Sequence, residues 1–342
     1  MFFKHFFTIL WKNKHFCIKI RQKTTKLLKT NIMKNKTQNS DSQKTFIVFS
    51  SFAFTFILLF FILINEGNAQ VYNKCATKNS IYEETIDDLS GKTVRTKVES
   101  DVHGNANGNQ YDLAVDGAFQ GETIAVLHLY TGENFDFSLP KVALQEKGFS
   151  VYRWINNPPT PKKLEEALNK SCQLWIISSS IQKLNKEHLK VIKKFFDSGK
   201  GVYIWGDNDP FYADANYVSD YLIGVKMFGN LPGNKVVGLN NKKKDIGLTT
   251  GHLITTGLEH IYEGVTIATI KDRQQVLTPL IYGHEKNLVT AVYEKDGKRL
   301  ILDGGFTRLY ISWDSAGTGR YVKNAAAWLV NYERFSKKDK KI

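Results

Sequence analysis

Residues 201–216 read Gly201-Val202-Tyr203-Ile204-Trp205-Gly206-Asp207-Asn208-Asp209-Pro210-Phe211-Tyr212-Ala213-Asp214-Ala215-Asn216. A short apolar run stops at Gly206. Asp207, Asn208, Asp209, Asp214 and Asn216 then bring five oxygen-bearing side chains together. Short apolar runs are typical of strands buried in parallel sheets. Ligands of such sheets bind just beyond the carboxyl ends of the strands. The turn after Trp205 is therefore where a site is expected.

Working back from this strand, the chain alternates strand and helix. Strands are expected at Thr123–Tyr130, Phe149–Ile155 and Gln173–Ser178. Helices are expected at Ser138–Lys147, with Gly148 as a stop, and from Thr160 to Lys170, with Thr160 as N-cap and Pro161 at the first helical position. Asn185–Ser198 carries a helical stripe of Leu189, Ile192, Phe195 and Phe196, ended by Gly199. Such alternation implies an α/β fold, a mostly parallel sheet with helices on both faces.

Downstream, a helix is expected over Tyr212–Leu222 and loop over Met227–Lys244, which is rich in Gly, Asn and Lys. Strands follow at Val265–Ile270, Leu277–Tyr282, Leu288–Glu294 and Arg299–Leu302, the last two joined by the Asp296-Gly297 hairpin turn. Asn324–Tyr332 reads as a closing helix. Residues 65–121 read as a linker and N-terminal embellishment with an edge strand at Thr93–Val98, residues 122–335 as the α/β domain, and 336–342 as a basic tail.

The formal charge of +14 does not mark a nucleic-acid binder. Residues 1–45 hold eleven Lys/Arg and one acid, so most of the excess precedes the folded region. This segment reads as a disordered basic leader that would contact anionic inner-leaflet lipid. Phe46–Ile64 is nineteen residues without a charge, close to the ~20 that span a bilayer. It reads either as a retained anchor or as a signal peptide cleaved after Gly67-Asn68-Ala69, with Met33 as the alternative start. Both readings place the domain outside the cytoplasm. There Cys75 and Cys172 have the chance of a disulfide; two unpaired thiols are the favoured reading.

Three stretches carry a family likeness. They are Asp197-Ser198-Gly199-Lys200-Gly201-Val202-Tyr203-Ile204; Gly251-His252-Leu253-Ile254-Thr255-Thr256-Gly257-Leu258; and Gly297 to Gly305 followed by Asn324 to Leu329. In this order residues 123–335 resemble the class I glutamine amidotransferase-like superfamily, nearest its trehalose-utilisation-protein-like members. The resemblance implies a flavodoxin-like fold. It also implies a nucleophile Cys in a Gly-x-Cys-x-Gly elbow and a His-x-Glu after a late strand. The matching positions here are Gly206-Asp207 and Gly305-Phe306-Thr307-Arg308. Both catalytic elements are absent, so glutaminase activity is not expected.

The candidates that remain are polar groups on the expected rim. Glu133, Asn134, Asp207, Asn208, Asp214 and Arg308 are the expected ligand contacts, joined by Tyr130 and Ser178–Ser180, with Arg308 pairing Asp303. Asp207, Asp209 and Asp214 are a candidate Ca²⁺ set, but the run lacks the Gly and closing Glu of an EF-hand. A plain turn that caps the next helix is favoured over it. His252 is a turn-fixing residue or a site residue, and His128 reads as packed in its strand. Gly317-Thr318-Gly319-Arg320 lacks the Lys-Ser/Thr of a phosphate loop, and no cofactor is expected.

The leading expectation is a catalytically degenerate, extracytoplasmic module that binds a small molecule, glycan or protein. The second is a hydrolase of an extracellular substrate such as a glycan, using Asp207 or Asp209 and His252. Mass spectrometry of the mature N-terminus separates the two topologies: a terminus at Gln70 excludes the anchor, and retention of 46–64 excludes cleavage.

Overall fold

The computed structural model describes residues 71–77, 82–239, 247–249, 251–313 and 316–338. The expected leader, the apolar segment 46–64 and the cleavage site lie outside these residues. Among the described residues no helix is long and apolar enough to cross a membrane.

The first elements are an antiparallel hairpin of β1 (Tyr82–Ile86) and β2 (Thr93–Lys97), exposed along its length. β2 coincides with the strand expected at Thr93–Val98. The repeating part follows: β3 (Thr123–His128), α1 (Ser138–Glu146), β4 (Ser150–Ile155), α2 (Pro161–Leu168), β5 (Gln173–Ile177), α3 (Lys186–Asp197), β6 (Gly201–Trp205) and α4 (Ala213–Ile223). Next come β7 (Lys226–Pro232), β8 (Val236–Gly238), β9 (His260–Tyr262), β10 (Thr266–Lys271), β11 (Thr278–Tyr282), β12 (Leu288–Lys295) and β13 (Lys298–Asp303). The chain closes with α5 (Thr318–Leu329) and α6 (Tyr332–Lys338).

The main sheet runs β11-β12-β13-β6-β5-β3-β4. Five neighbouring strands, β13, β6, β5, β3 and β4, are parallel, and β12 and β11 are antiparallel. Numbered along the chain, the parallel strands take the order 2-1-3-4-5, the flavodoxin-like arrangement. β6 is internal and parallel to both neighbours, as its unbroken apolar sequence requires.

Register explains how the faces fill. Val126, Trp175, Tyr203 and Ile301 are cross-strand partners on one face, under α1 and α5. Leu127, Ile176, Ile204 and Leu302 form the next row on the other face, under α2, α3 and α4. Each such side chain, fully buried, contributes roughly 1.5–3 kcal/mol. Gly201 opens β6 because a Cβ there would sit 2.4 Å from the Leu329 carbonyl oxygen at the end of α5. The Ala325-Ala326-Ala327 run in α5 is fully buried and keeps that helix low on the sheet. Thr160 caps α2 as expected, its side chain accepting from the Lys163 N–H.

Two expectations need correction. Met227–Lys244 is not all loop: β7 pairs antiparallel with β10, and β8 with β9. Gly229, Pro232 and Gly233 gave this stretch its turn-like composition, yet Met227 and Val237 are buried. The closing helix starts at Thr318 rather than Asn324, with Gly317 at φ 65° as N-cap, and it ends before a separate α6. Thus Gly317–Arg320 is a helix start.

Residues preceding β3 are pinned to the domain by charge. Asp112 is fully buried, with Lys147 Nζ and Lys323 Nζ each 2.8 Å from one carboxylate oxygen and Arg320 Nε 2.8 Å from the other. Lys147 is itself fully buried and also pairs with Asp116. Next to it, the Leu113 N–H donates to Asn324 Oδ1, and Asn324 Nδ2 donates to the carbonyls of Ile254 and Thr256. Removing one partner of such a cluster strands buried charge. Asp112→Ala is therefore expected to lose about 3–5 kcal/mol of stability, read by urea unfolding; a loss below about 1 kcal/mol would mean that water compensates the three cations.

Candidate functional site

At the end of β6 the backbone is held on both sides. The Gly206 N–H donates to the Asp303 carbonyl at 2.8 Å, and the Phe306 N–H donates to the Gly206 carbonyl at 3.0 Å. Asp207 follows and is 1% exposed. Its Oδ1 accepts from the Asn208 N–H (2.8 Å) and Thr266 Oγ1 (2.7 Å), and its Oδ2 from the Thr307 N–H (3.1 Å). Burial pushes the carboxyl up to about 6, against the lowering effect of those three donors. Asp207 therefore stitches β6 to β10 and to the turn after β13. The expectation that it caps α4 is corrected: the N-cap is Tyr212, with no side-chain bond.

The rest of the acidic run diverges. Asn208 is partly exposed, with its Nδ2 on Asn230 Oδ1 at 2.9 Å. Asp209 is exposed and precedes a cis peptide to Pro210. Asp214 is fully buried and points to another loop, its Oδ1 accepting from the N–H groups of Lys183 (2.9 Å) and Leu184 (2.8 Å). Asn216 clamps α4 to β7 through both backbone groups of Met227. Asp207, Asp209 and Asp214 thus serve different surroundings, and among the described residues no group of three or more His, Cys, Asp or Glu side chains is arranged to hold a metal ion.

Arg308 and Asp303 do pair, at 3.1 Å, but both are fully buried rather than on the rim. Arg308 also donates to the carbonyls of Gly305 and Glu263. The other carboxylate oxygen of Asp303 accepts from Tyr321 Oη at 2.9 Å, and Tyr203 Oη sits 2.6 Å from Tyr321 Oη. Burial, then the neighbouring charges, holds both phenols far above their ordinary range.

The outer rim sets two exposed polar residues against half-buried aromatics. Glu133 and Asn134 follow β3 with positive φ of 54° and 58° and are exposed. Glu133 Oε2 accepts from Tyr310 Oη at 3.0 Å. Tyr130 packs edge-on to Phe211 and near Phe306, with centroids at 5.4 and 4.9 Å, while Tyr310 stacks on Phe135 at 4.4 Å. Burial raises the Tyr130 phenol, and the charges of Glu133 and Asp207 add to it. So Glu133, Asp207 and Tyr130 share one neighbourhood at the carboxyl edge.

The histidines lie elsewhere. His252 accepts from the Ile254 N–H through Nδ1 and its ring lies 5.1 Å from that of Trp328. Trp328 accepts from Arg299 at the start of β13, whereas Asp303 ends that strand. Four strand residues separate these levels, roughly 13 Å, so His252 belongs to the amino end of the sheet. Its pKa is lowered to about 4 by burial. His128 is fully buried beside Arg153 and is also lowered to about 4, first by burial and then by Arg153.

Sequence reasoning missed Thr266, Thr307 and Tyr310. Thr266 reaches the rim from β10, Thr307 and Tyr310 from the turn after β13, and no local pattern links them to Gly206.

No family model and no curated protein matches the chain. Among solved structures it is similar to a GMP synthase-type protein from Thermoplasma acidophilum, at 10% identity and a TM-score of 0.43, covering 64% of this chain and 99% of that one. A ThuA-like protein from Parabacteroides merdae shares 11% identity at a TM-score of 0.42, covering 62% and 90%. An exo-β-1,4-mannosidase from an Opitutaceae bacterium shares 11% at 0.36, with 61% of this chain on 36% of that one. The fold assignment rests on the strand order above and not on these likenesses.

A carboxyl raised on folding binds its proton more tightly in the native state, so its contribution to stability falls as pH rises from about 4 to about 6. The Asp207→Asn variant lacks that component. Between pH 4 and 7 its stability is expected to rise relative to wild type by roughly 3 kcal/mol, read as the difference of urea-unfolding curves. A pH-independent difference would mean that Asp207 titrates normally.

Proposed function

We propose that this chain is an exported member of the amidotransferase-like lineage that lacks the nucleophile thiol and binds a ligand at the carboxyl edge of its sheet. Residues 46–64 anchor it in the membrane or are removed after Ala69. The observation that carries the reading is the state of the turn after β6. The position of a nucleophile is taken by Asp207, and both of its oxygens are already engaged inside the protein. The Cys172 thiol is of no help there. It precedes β5, at the amino end of the sheet, and donates to the Thr123 carbonyl. Burial pushes it up to about 12, so it stays protonated.

Binding is supported over hydrolysis by the same geometry. Asp207 is sealed, Asp209 is exposed, and His252 lies at the far end of the strands, so no base-and-nucleophile pair forms from them. The rim offers instead an exposed carboxylate, Glu133, and an exposed amide, Asn134, beside Tyr130 and Tyr310. That combination suits a polar ligand with an apolar face, whether small molecule, glycan or peptide. No cofactor is invoked.

With glutamine as substrate, wild-type protein is expected to release no ammonia above background. Release that disappears in Asp207→Ala would overturn the reading. In a thermal-shift screen of saccharides and peptides, a stabilising compound is expected to lose its effect in Glu133→Ala; a shift unchanged by that variant would place the ligand elsewhere.

A further inference from the structure

A second concavity lies away from the rim, at the free edge of the sheet. β4 is the last strand, so among the described residues one side of it has no neighbouring strand. Its Tyr152 and Trp154 fall two residues apart and face the same way, with rings perpendicular at 4.8 Å. Trp154 packs against the cluster containing Leu164 and Leu168 of α2. Tyr152 is 52% exposed and lines the same space. Along α2, Lys163 and Glu166, and then Lys170 just past its end, recur at helical spacing and face the same space. Together with Ser171 they enclose a cleft of about 560 Å³, within the size range of small-molecule sites.

The chemistry of the walls narrows the occupant. Lys163 and Lys170 make no ion pair among the described residues, although Glu165 on the same helix is paired with Lys194. Two ammonium groups and one carboxylate, Glu166, leave a net charge of +1, which one anionic group balances. Lys170 and Ser171 sit past the carboxyl end of α2, where helix carbonyls disfavour any anion, a doubly charged phosphate more than a single carboxylate, so the attraction must come from the two lysines. The exposed phenol ring gives a flat apolar face with a polar edge. Hydroxyl-bearing rings with one apolar face and a single carboxylate match all three walls.

We propose that this edge cleft is a binding site for an acidic saccharide of the uronic-acid class, with Tyr152 as the stacking platform and Lys163 and Lys170 as carboxylate contacts. It is separate from the rim site.

The test is calorimetric titration of the full chain, held in a sugar-free zwitterionic detergent, with digalacturonate and with its dimethyl ester. Digalacturonate is expected to bind in the micromolar-to-millimolar range, and the uncharged ester about tenfold more weakly. Tyr152→Ala is expected to weaken both by about tenfold or more. The double variant Lys163→Ala, Lys170→Ala is expected to bring the acid down to the level of the ester while leaving the ester unchanged. Each of these side chains is exposed, and circular dichroism is expected to be that of wild type. Glu133→Ala, at the rim, leaves the affinity unchanged, so failure of the rim proposal is distinguishable. Absence of heat with digalacturonate up to tens of millimolar overturns the assignment, as does equal affinity for acid and ester. Binding indifferent to Tyr152→Ala, or tighter binding of uridine monophosphate than of digalacturonate, also overturns it.

Discussion

Asp303 ends the last parallel strand as a carboxylate with no exposure, and the carboxyl edge of the sheet is built around it. One oxygen takes the Gly305 N–H and the Arg308 guanidinium, the other the Tyr321 hydroxyl, while the backbone carbonyl takes the Gly206 N–H from β6. A buried charge of this kind is tolerable only when its partners are all present. Burial disfavours the Arg308 charge as well, and the Asp303 carboxylate beside it holds it on. The turn 304–309 is thereby fixed, and with it the Thr307 N–H that holds Asp207. The rim depends on this interior pair more than on any exposed group.

That dependence accounts for the character of the site. In a doubly wound sheet the residue beyond the central strand is the natural place for a reactive side chain. Here it is drawn inward by Thr266 and Thr307 and spends its acceptors on the protein. What faces outward is contributed by the loop after β3 and the turn after β13, whose Glu133 and Tyr310 meet at 3.0 Å. On the proposed reading such a surface would recognise a ligand without an activated nucleophile.

Much of the fold was legible because its central strands are short and apolar throughout. β3, β5 and β6 needed no periodicity to be found, and the Asp296-Gly297 turn, with φ of 54° and 69°, announced the β12–β13 hairpin. β7 and β8 were hidden because glycine and proline within them carry the signature of loops. The site was legible in location and not in wiring. Asp207 stands out in the sequence, but its partners are 59 and 100 residues away, and only the register of β10 and the turn after β13 brings them in. Conversely, Asp214 and Asn216 are near in sequence yet serve α4 and its neighbours. His252 looked close to the chemistry through its family-like segment, but the sheet's length separates it.

The turn after β6 is sealed by internal hydrogen bonds to Asp207 and is not an open elbow. Amide hydrogen exchange tests this most directly. The Thr307 and Asn208 amides, both bound to Asp207, are predicted to exchange as slowly as the amides within β6 and far more slowly than Leu89 in the exposed β1–β2 turn. Exchange of Thr307 and Asn208 at the rate of Leu89 would contradict the account.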